Sequence, residues 1–107
     1  MPFYRLFVIA RNDLPKSSIM SLFENSVNTV TKSGGVFQKL TNLGEKQLQY
    51  PIHCKDPQKI YRQGNHYIME FCSNPLALEK VTFDLKESRQ CLRIEKEKLR
   101  PEYGMKL

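Results

Sequence analysis

Around Tyr61 the chain gathers His53, Lys55, Lys59 and Arg62, with only Asp56 opposing them. Lysine and arginine meet phosphate oxygens, and an imidazole or phenol ring can stack on or hydrogen-bond to an unpaired base. Lys39 and Lys46 extend the same chemistry towards the N-terminus. Taken singly, each cation is an ordinary solvated charge; taken together, the stretch from His53 to Arg62 has the make-up of a contact with RNA. The whole chain agrees in sign, with 17 Lys and Arg against 11 Asp and Glu, a net charge of +6 and an isoelectric point near 9.3. Such a surface concentrates polyanions.

Other chemistries find less support. Cys54, Cys72 and Cys91 are odd in number and widely spaced, which argues against a disulfide framework and for a reducing compartment. A zinc site from Cys54, His53, His66, Cys72 and Cys91 fails on spacing, because His53 and Cys54 are neighbours that point to opposite sides of an extended chain. Cys72 and Cys91 read as small apolar fillers. No catalytic residue, metal, cofactor or small-molecule substrate is expected. The longest apolar run, Leu6 to Ala10, falls far short of the roughly 20 residues of a spanning helix, so no membrane association is expected. The start, MPFYRLFVIA, lacks the features of a secretory signal and is too strand-like for an amphipathic transit peptide.

One domain has to position these groups, since 107 residues build a single core. Aromatic and β-branched residues over 3 to 11 predict a first strand, ended by Asn12-Asp13-Leu14-Pro15. Ile19, Leu22, Phe23, Val27 and Val30 recur on one helical face, predicting a helix over 15 to 33 that Ser33-Gly34-Gly35 stops. A long second strand follows from Val36 to Ile52, with a bend or bulge at Asn42-Leu43-Gly44. Residues 55 to 65 are polar and turn-rich and are expected to form a mobile loop before a third strand, His66 to Cys72. Asn74-Pro75 caps a second helix with Leu78, Val81 and Leu85 on its apolar face, and Cys91 to Lys98 forms the last strand. The expected class is α+β, a ferredoxin-like split β-α-β-β-α-β over residues 1 to 99. It has a four-stranded antiparallel sheet with two helices on one face, and 100 to 107 form a C-terminal tail.

Strand alternation places Tyr4, Leu6, Val8 and Ala10 with Tyr67, Met69 and Phe71 under the helices. The opposite face then shows Phe7, Ile9, Ile68 and Cys72, rimmed by Arg5, Arg11 and Glu70. Such a face wants a protein partner, for which Arg5, Phe7, Ile9, Ile68 and Glu70 are the candidate contacts. Helix one carries few basic groups and is expected to face away from RNA.

The segment from Leu40 to Ile52, with its leucine-glycine bend at Leu43-Gly44 and its closing Tyr50-Pro51-Ile52, resembles the signature of the ribosomal protein S6 family. Pro2, Tyr4 and Leu6 look like the opening strand of that family's mitochondrial branch, and Gly64, Tyr67, Phe71, Leu78, Val81 and Leu85 match more loosely, so that the resemblance covers residues 2 to 99. It implies a structural protein of the mitochondrial small ribosomal subunit, in the mitochondrial matrix. Its implied partners are small-subunit rRNA, a member of the S18 family and other small-subunit proteins. Pro2, where bacterial members often carry a basic residue, and the tail from Arg100 depart from the pattern.

Two further families share the element order. RRM domains stack bases on aromatic residues of an open third strand, and Gly64 to Phe71 is superficially similar. The position after Gly64 is Asn65 rather than an aromatic, however, and Tyr67 is expected in the core. Acylphosphatases cradle phosphate after the first strand, where this chain has Asp13 and Pro15 in place of open amides and positive charge.

Overall fold

A computed structural model of the protein describes residues 2–55 and 58–99. Along the chain run β1 (Phe3–Ala10), α1 (Lys16–Lys32), β2 (Val36–Lys55), β3 (Gln58–Cys72), α2 (Pro75–Glu87) and β4 (Cys91–Leu99). The strands form one sheet in the order β2-β3-β1-β4, and every neighbouring pair is antiparallel. This is the expected split β-α-β-β-α-β arrangement, with sequence-adjacent β2 and β3 as a hairpin and β1 in the interior between β3 and β4. The expected tail, 100–107, lies outside the described residues.

Alternation in β1 gives the core directly. Tyr4, Leu6, Val8 and Ala10 are almost wholly buried, and across the ladder Leu6 meets Met69 while Val8 meets Tyr67. Against this layer α1 sets Ile19, Phe23 and Val30, and α2 sets Leu78, Val81 and Leu85. Phe23 packs edge-on to Tyr67 with ring centroids 4.9 Å apart, a geometry in which the positive ring edge meets the negative face. Two helix hydroxyls enter the core without loss of hydrogen bonding: Ser26 Oγ donates to the Leu22 carbonyl at 3.3 Å and Thr82 Oγ1 to that of Leu78 at 2.7 Å.

The helix ends follow local chemistry. Asn74 caps α2, its side-chain oxygen accepting from the Ala77 amide at 2.8 Å, and Pro75 occupies the first turn, where its missing N–H costs nothing. α1 has no side-chain cap and closes at its C-terminus through bonds from Ser33, Gly34 and Gly35 amides to carbonyls of its last turn. Gly44 stands at φ +85, where the β2 register shifts between Asn42 and Gly44, so the expected bulge is present. The Asn42 side chain steadies it by accepting from the Gly44 amide at 2.8 Å.

One expectation is corrected. The polar stretch before His66 is not a mobile loop: β3 already begins at Gln58 and pairs with β2 through Ile52↔Tyr61, His53↔Ile60, Cys54↔Lys59 and Lys55↔Gln58. β1 reaches only as far as Asn65 of β3, so residues 58 to 64 run on past the sheet, by about 20 Å at the usual rise per residue. A ribbon that overruns its sheet leaves most of its side chains in water, here all of residues 58 to 64 but Tyr61 and Gly64, and its polar composition therefore says nothing against strand.

Gly35 is where α1 turns into β2, and a Cβ there would press on the Cys72 carbonyl oxygen and stand 3.0 Å from Val30 Cγ1. Gly35→Ala is expected to destabilise the fold by about 1–3 kcal/mol, the range for forced overpacking, in a denaturant titration. An unchanged midpoint would mean that this helix-to-strand junction is looser than described.

Candidate functional site

Direct cross-strand partners lie on one face of a sheet, so the register assigns every candidate side chain to a side. Along β3 the even positions from Ile60 to Glu70 share the side away from the helices, and the odd positions share the helix side. Lys39 stands opposite Glu70, Lys46 opposite Gly64 and His53 opposite Ile60, which puts all three on the open side together with Arg62. Lys39, Lys46, His53 and Arg62 are all exposed. They form a row of basic groups that follows β2 and β3 out of the sheet and along the arm. Lys55 ends β2 opposite Gln58; its side chain, and Asp56 and Pro57, lie outside the described residues.

Lys59 and Tyr61 take the other side, and there the expectation of nucleotide contact meets a different arrangement. Tyr61 is only 2% exposed, and its phenol donates to Asp13 Oδ2 at 3.0 Å. Lys59 Nζ meets the same oxygen at 3.0 Å, and Arg11 Nε donates to Asp13 Oδ1 at 3.0 Å. The Arg11 guanidinium and the Lys59 ammonium also lie 5.5 and 4.9 Å from the Tyr61 ring centre, within cation–π range. Tyr61 is thus a packing and hydrogen-bonding residue of this junction and has no ring face to offer a base. Arg11 leaves the open-face rim to which alternation assigned it, because β1 ends at Ala10 and the guanidinium turns to Asp13.

The electrostatics follow from that geometry. The hydrogen bond from Arg11, reinforced by those from Lys59 and Tyr61, holds the Asp13 carboxyl well below the usual carboxylate range, against the opposing effect of desolvation. Burial, with the bond to Asp13, pushes the Tyr61 phenol up, so it stays a donor at neutral pH. Asn12 adds a further tie, its amide donating to Glu45 Oε2 of β2 at 2.6 Å. Sequence reasoning missed this hub because its members are 46 and 48 residues apart; the one local signal was the Arg11-x-Asp13 spacing.

The candidate partner residues do fall on one face. Phe7, 37% exposed, stands between Ile68 and Glu95, and Ile9 between His66 and Arg93. Arg5 lies between two carboxylates, 3.9 Å from Glu70 and 3.2 Å from Glu97. Where the β2 register shifts between Gln47 and Ile52, the intervening residues form a wall, leaving a groove of about 430 Å³ over the sheet, lined by Phe7, Ile9, Leu48, Tyr50, His66 and Arg93. Arg93, Glu95 and Glu97 were not among the expected contacts, since the pairing of β4 with β1 is needed to place them. Leu76 and Phe83 of α2 are also exposed. Cys91 faces the core beside Ala10, where burial pushes its thiol up to about 12 and makes it a packing group. Among the described residues, no three His, Cys, Asp or Glu side chains cluster to hold a metal.

Residues 3–95 match the model of the family described as Ribosomal protein S6. Small ribosomal subunit protein bS6m of Drosophila melanogaster is 29% identical over 87 residues, 81% of this chain and 54% of that protein. Small ribosomal subunit protein bS6 of Streptomyces coelicolor is 28% identical over 102 residues, 95% of this chain and 98% of that one. This chain therefore spans about half the length of the fly relative and nearly all of the bacterial one. In fold it is similar to the crystal structure of 30S ribosomal protein S6 from Thermotoga maritima, with a TM-score of 0.77, 16% identity and coverage of 98% and 92% of the two chains. The C-terminal domain of MgtC from Mycobacterium tuberculosis shares the architecture at a TM-score of 0.65 and 10% identity, a likeness of fold alone. The extent of the family match decides the matter: the chain belongs to the ribosomal protein S6 family, a structural family and not an enzymatic one.

Because the folded Asp13 value is depressed, the stability it adds is fully present above the pKa of an unfolded aspartate, about 4, and is lost as pH falls through the folded value. The difference in melting temperature between wild type and Asp13→Asn should be full at neutral pH and shrink only once the pH drops below about 4. A difference that grows towards acid would contradict the charge-assisted hub.

Proposed function

We propose that this member of the ribosomal protein S6 family is a structural constituent of the small subunit of the mitochondrial ribosome, in the mitochondrial matrix. In this reading it contacts small-subunit rRNA along the β2 strand and the β2–β3 arm, and its open sheet face receives a protein of the S18 family. The observation that carries the RNA half is the row of Lys39, Lys46, His53 and Arg62 on one side of a ribbon that projects beyond the sheet. Cations spaced along a rigid ribbon can follow a phosphate backbone, and folded RNA is recognised chiefly through backbone and 2′-hydroxyl contacts, so no catalytic group is needed. The mitochondrial setting is supported by the likeness to the fly bS6m protein and by the opening residues Pro2, Tyr4 and Leu6.

For the protein partner, support comes from the apolar strip of Phe7, Ile9 and Ile68 and the groove beside it, flanked by Arg5, Glu70, Glu95 and Glu97. Apolar centre and charged rim are the usual anatomy of a protein interface. Carboxylates over the same sheet repel phosphate, and Tyr67 and Phe71 point into the core, at 1% and 0% exposure. Both facts weigh against the RRM-like alternative of single-stranded RNA stacked on the sheet.

Sedimentation of the endogenous complex, followed by mass spectrometry, tests the assignment. The chain should co-migrate with small ribosomal subunits and loosen as salt rises. Lys46→Glu with Arg62→Glu should weaken that association and reduce the salt dependence of binding by about one counterion per lost contact, whereas Lys16→Glu on α1 should leave both unchanged. Migration as a small unassociated protein, or with messenger RNA, would overturn the ribosomal reading and favour the single-strand alternative.

A further inference from the structure

The arm that carries the basic row has no layer of its own to rest on. Past Asn65 it has lost its pairing with β1, and at the Gln47-to-Ile52 register shift four residues of β2 face a single residue of β3. A two-stranded ribbon so interrupted is marginal in water by itself and would swing about the bulge. Yet at Tyr61, beyond the interruption, the ribbon is buried to 2% exposure against the loop that follows β1.

We infer that Asp13 is a positioning residue for RNA binding: by gripping Lys59 and Tyr61 of the arm, it fixes the direction in which Lys46, His53 and Arg62 are presented. One carboxylate receives three donors. Arg11 anchors it on the β1 side through two bonds, at 3.0 and 3.1 Å, while Lys59 and Tyr61 hold it from the arm side, both at 3.0 Å. Asn12 to Glu45, at the base of the arm, is a second point of attachment, and two points fix an orientation where one would leave a pivot. The clasp lies on the helix side and the basic row on the open side, so the arm is held from behind without covering the surface it presents. Lys59 accordingly belongs to the clasp and not to the phosphate row.

This inference rests on the proposed RNA reading of the arm, and the experiment separates the two. Full-length Asp13→Asn keeps the size and an acceptor oxygen but removes the charge that draws both cations. Hydrogen exchange in the paired arm, residues 52 to 55 and 58 to 61, should quicken by about tenfold or more, while residues 65 to 72 of the same strand keep wild-type protection. Affinity for a small-subunit rRNA fragment should fall several-fold with no change in the slope of log K against log salt, because orientation is lost and no phosphate contact is. Lys59→Ala should likewise lower affinity at constant slope.

Unchanged exchange in the paired arm of Asp13→Asn would overturn the clasp. So would exchange that rises equally over 65 to 72, which marks a merely structural role. An affinity that is unchanged or increased with the arm released would overturn the positioning role, and a slope reduced by about one in Lys59→Ala would return that lysine to the phosphate row. Wild-type protein with no affinity for the rRNA, but an arm still released by Asp13→Asn, would overturn the RNA reading and leave the clasp standing.

Discussion

A pair of helices shields one face of a four-stranded sheet and leaves the other without a covering layer, and that asymmetry organises this molecule. β1 shows the consequence within a single strand: Tyr4, Leu6, Val8 and Ala10 vanish beneath α1 and α2, while Phe7 stays 37% exposed two-thirds of the way along. Had the open face been meant for water it would alternate cleanly with polar residues. Instead β1 is apolar on both sides, and its outer side is rimmed by ion pairs such as Arg5 with Glu97, which contribute little to stability at such exposure and more to the choice of partner.

The second organising feature is the mismatch of strand lengths. β2 runs for 20 residues and β3 for 15, beside β1 with 8 and β4 with 9. The excess becomes an arm, and an arm needs a direction. Asp13 supplies it, at a point where a single carboxylate can collect an arginine from the body and a lysine and a tyrosine from the arm. On the proposed RNA reading, pre-organisation of this kind lowers the entropy lost when the basic ribbon settles on its partner, which is where a protein with no chemistry to perform can still gain affinity.

The fold was largely legible in the sequence because its signals are local: period-two burial in β1, one apolar face in each helix, Asn74-Pro75 as a cap and Asn42-Leu43-Gly44 as a bulge. The arm was illegible for the same reason. Residues 58 to 64 bury only Tyr61 and Gly64, so composition and turn-forming residues suggest a loop, and only the pairing with β2 reveals a strand. The basic row was found as a set of residue types, but its division into an outward-facing group and a clasp depends on register. Lys59 reaches Asp13 and its neighbour Arg11 only through long-range pairing, as Glu95 and Glu97 reach Phe7 and Arg5. The motif around Leu43-Gly44 and Tyr50-Pro51-Ile52 pointed to the family, and the family match over residues 3–95 agrees with it.

On the proposed function, these features divide the molecule into three surfaces: a basic ribbon for RNA, an open sheet face for protein, and a helix layer for neither. Cross-link mapping in intact mitochondrial small subunits tests that division most directly. The account predicts RNA cross-links within residues 39 to 62, protein cross-links within residues 5 to 9 of β1, and none to RNA from α1. RNA cross-links concentrated on α1, with the arm silent, would contradict it.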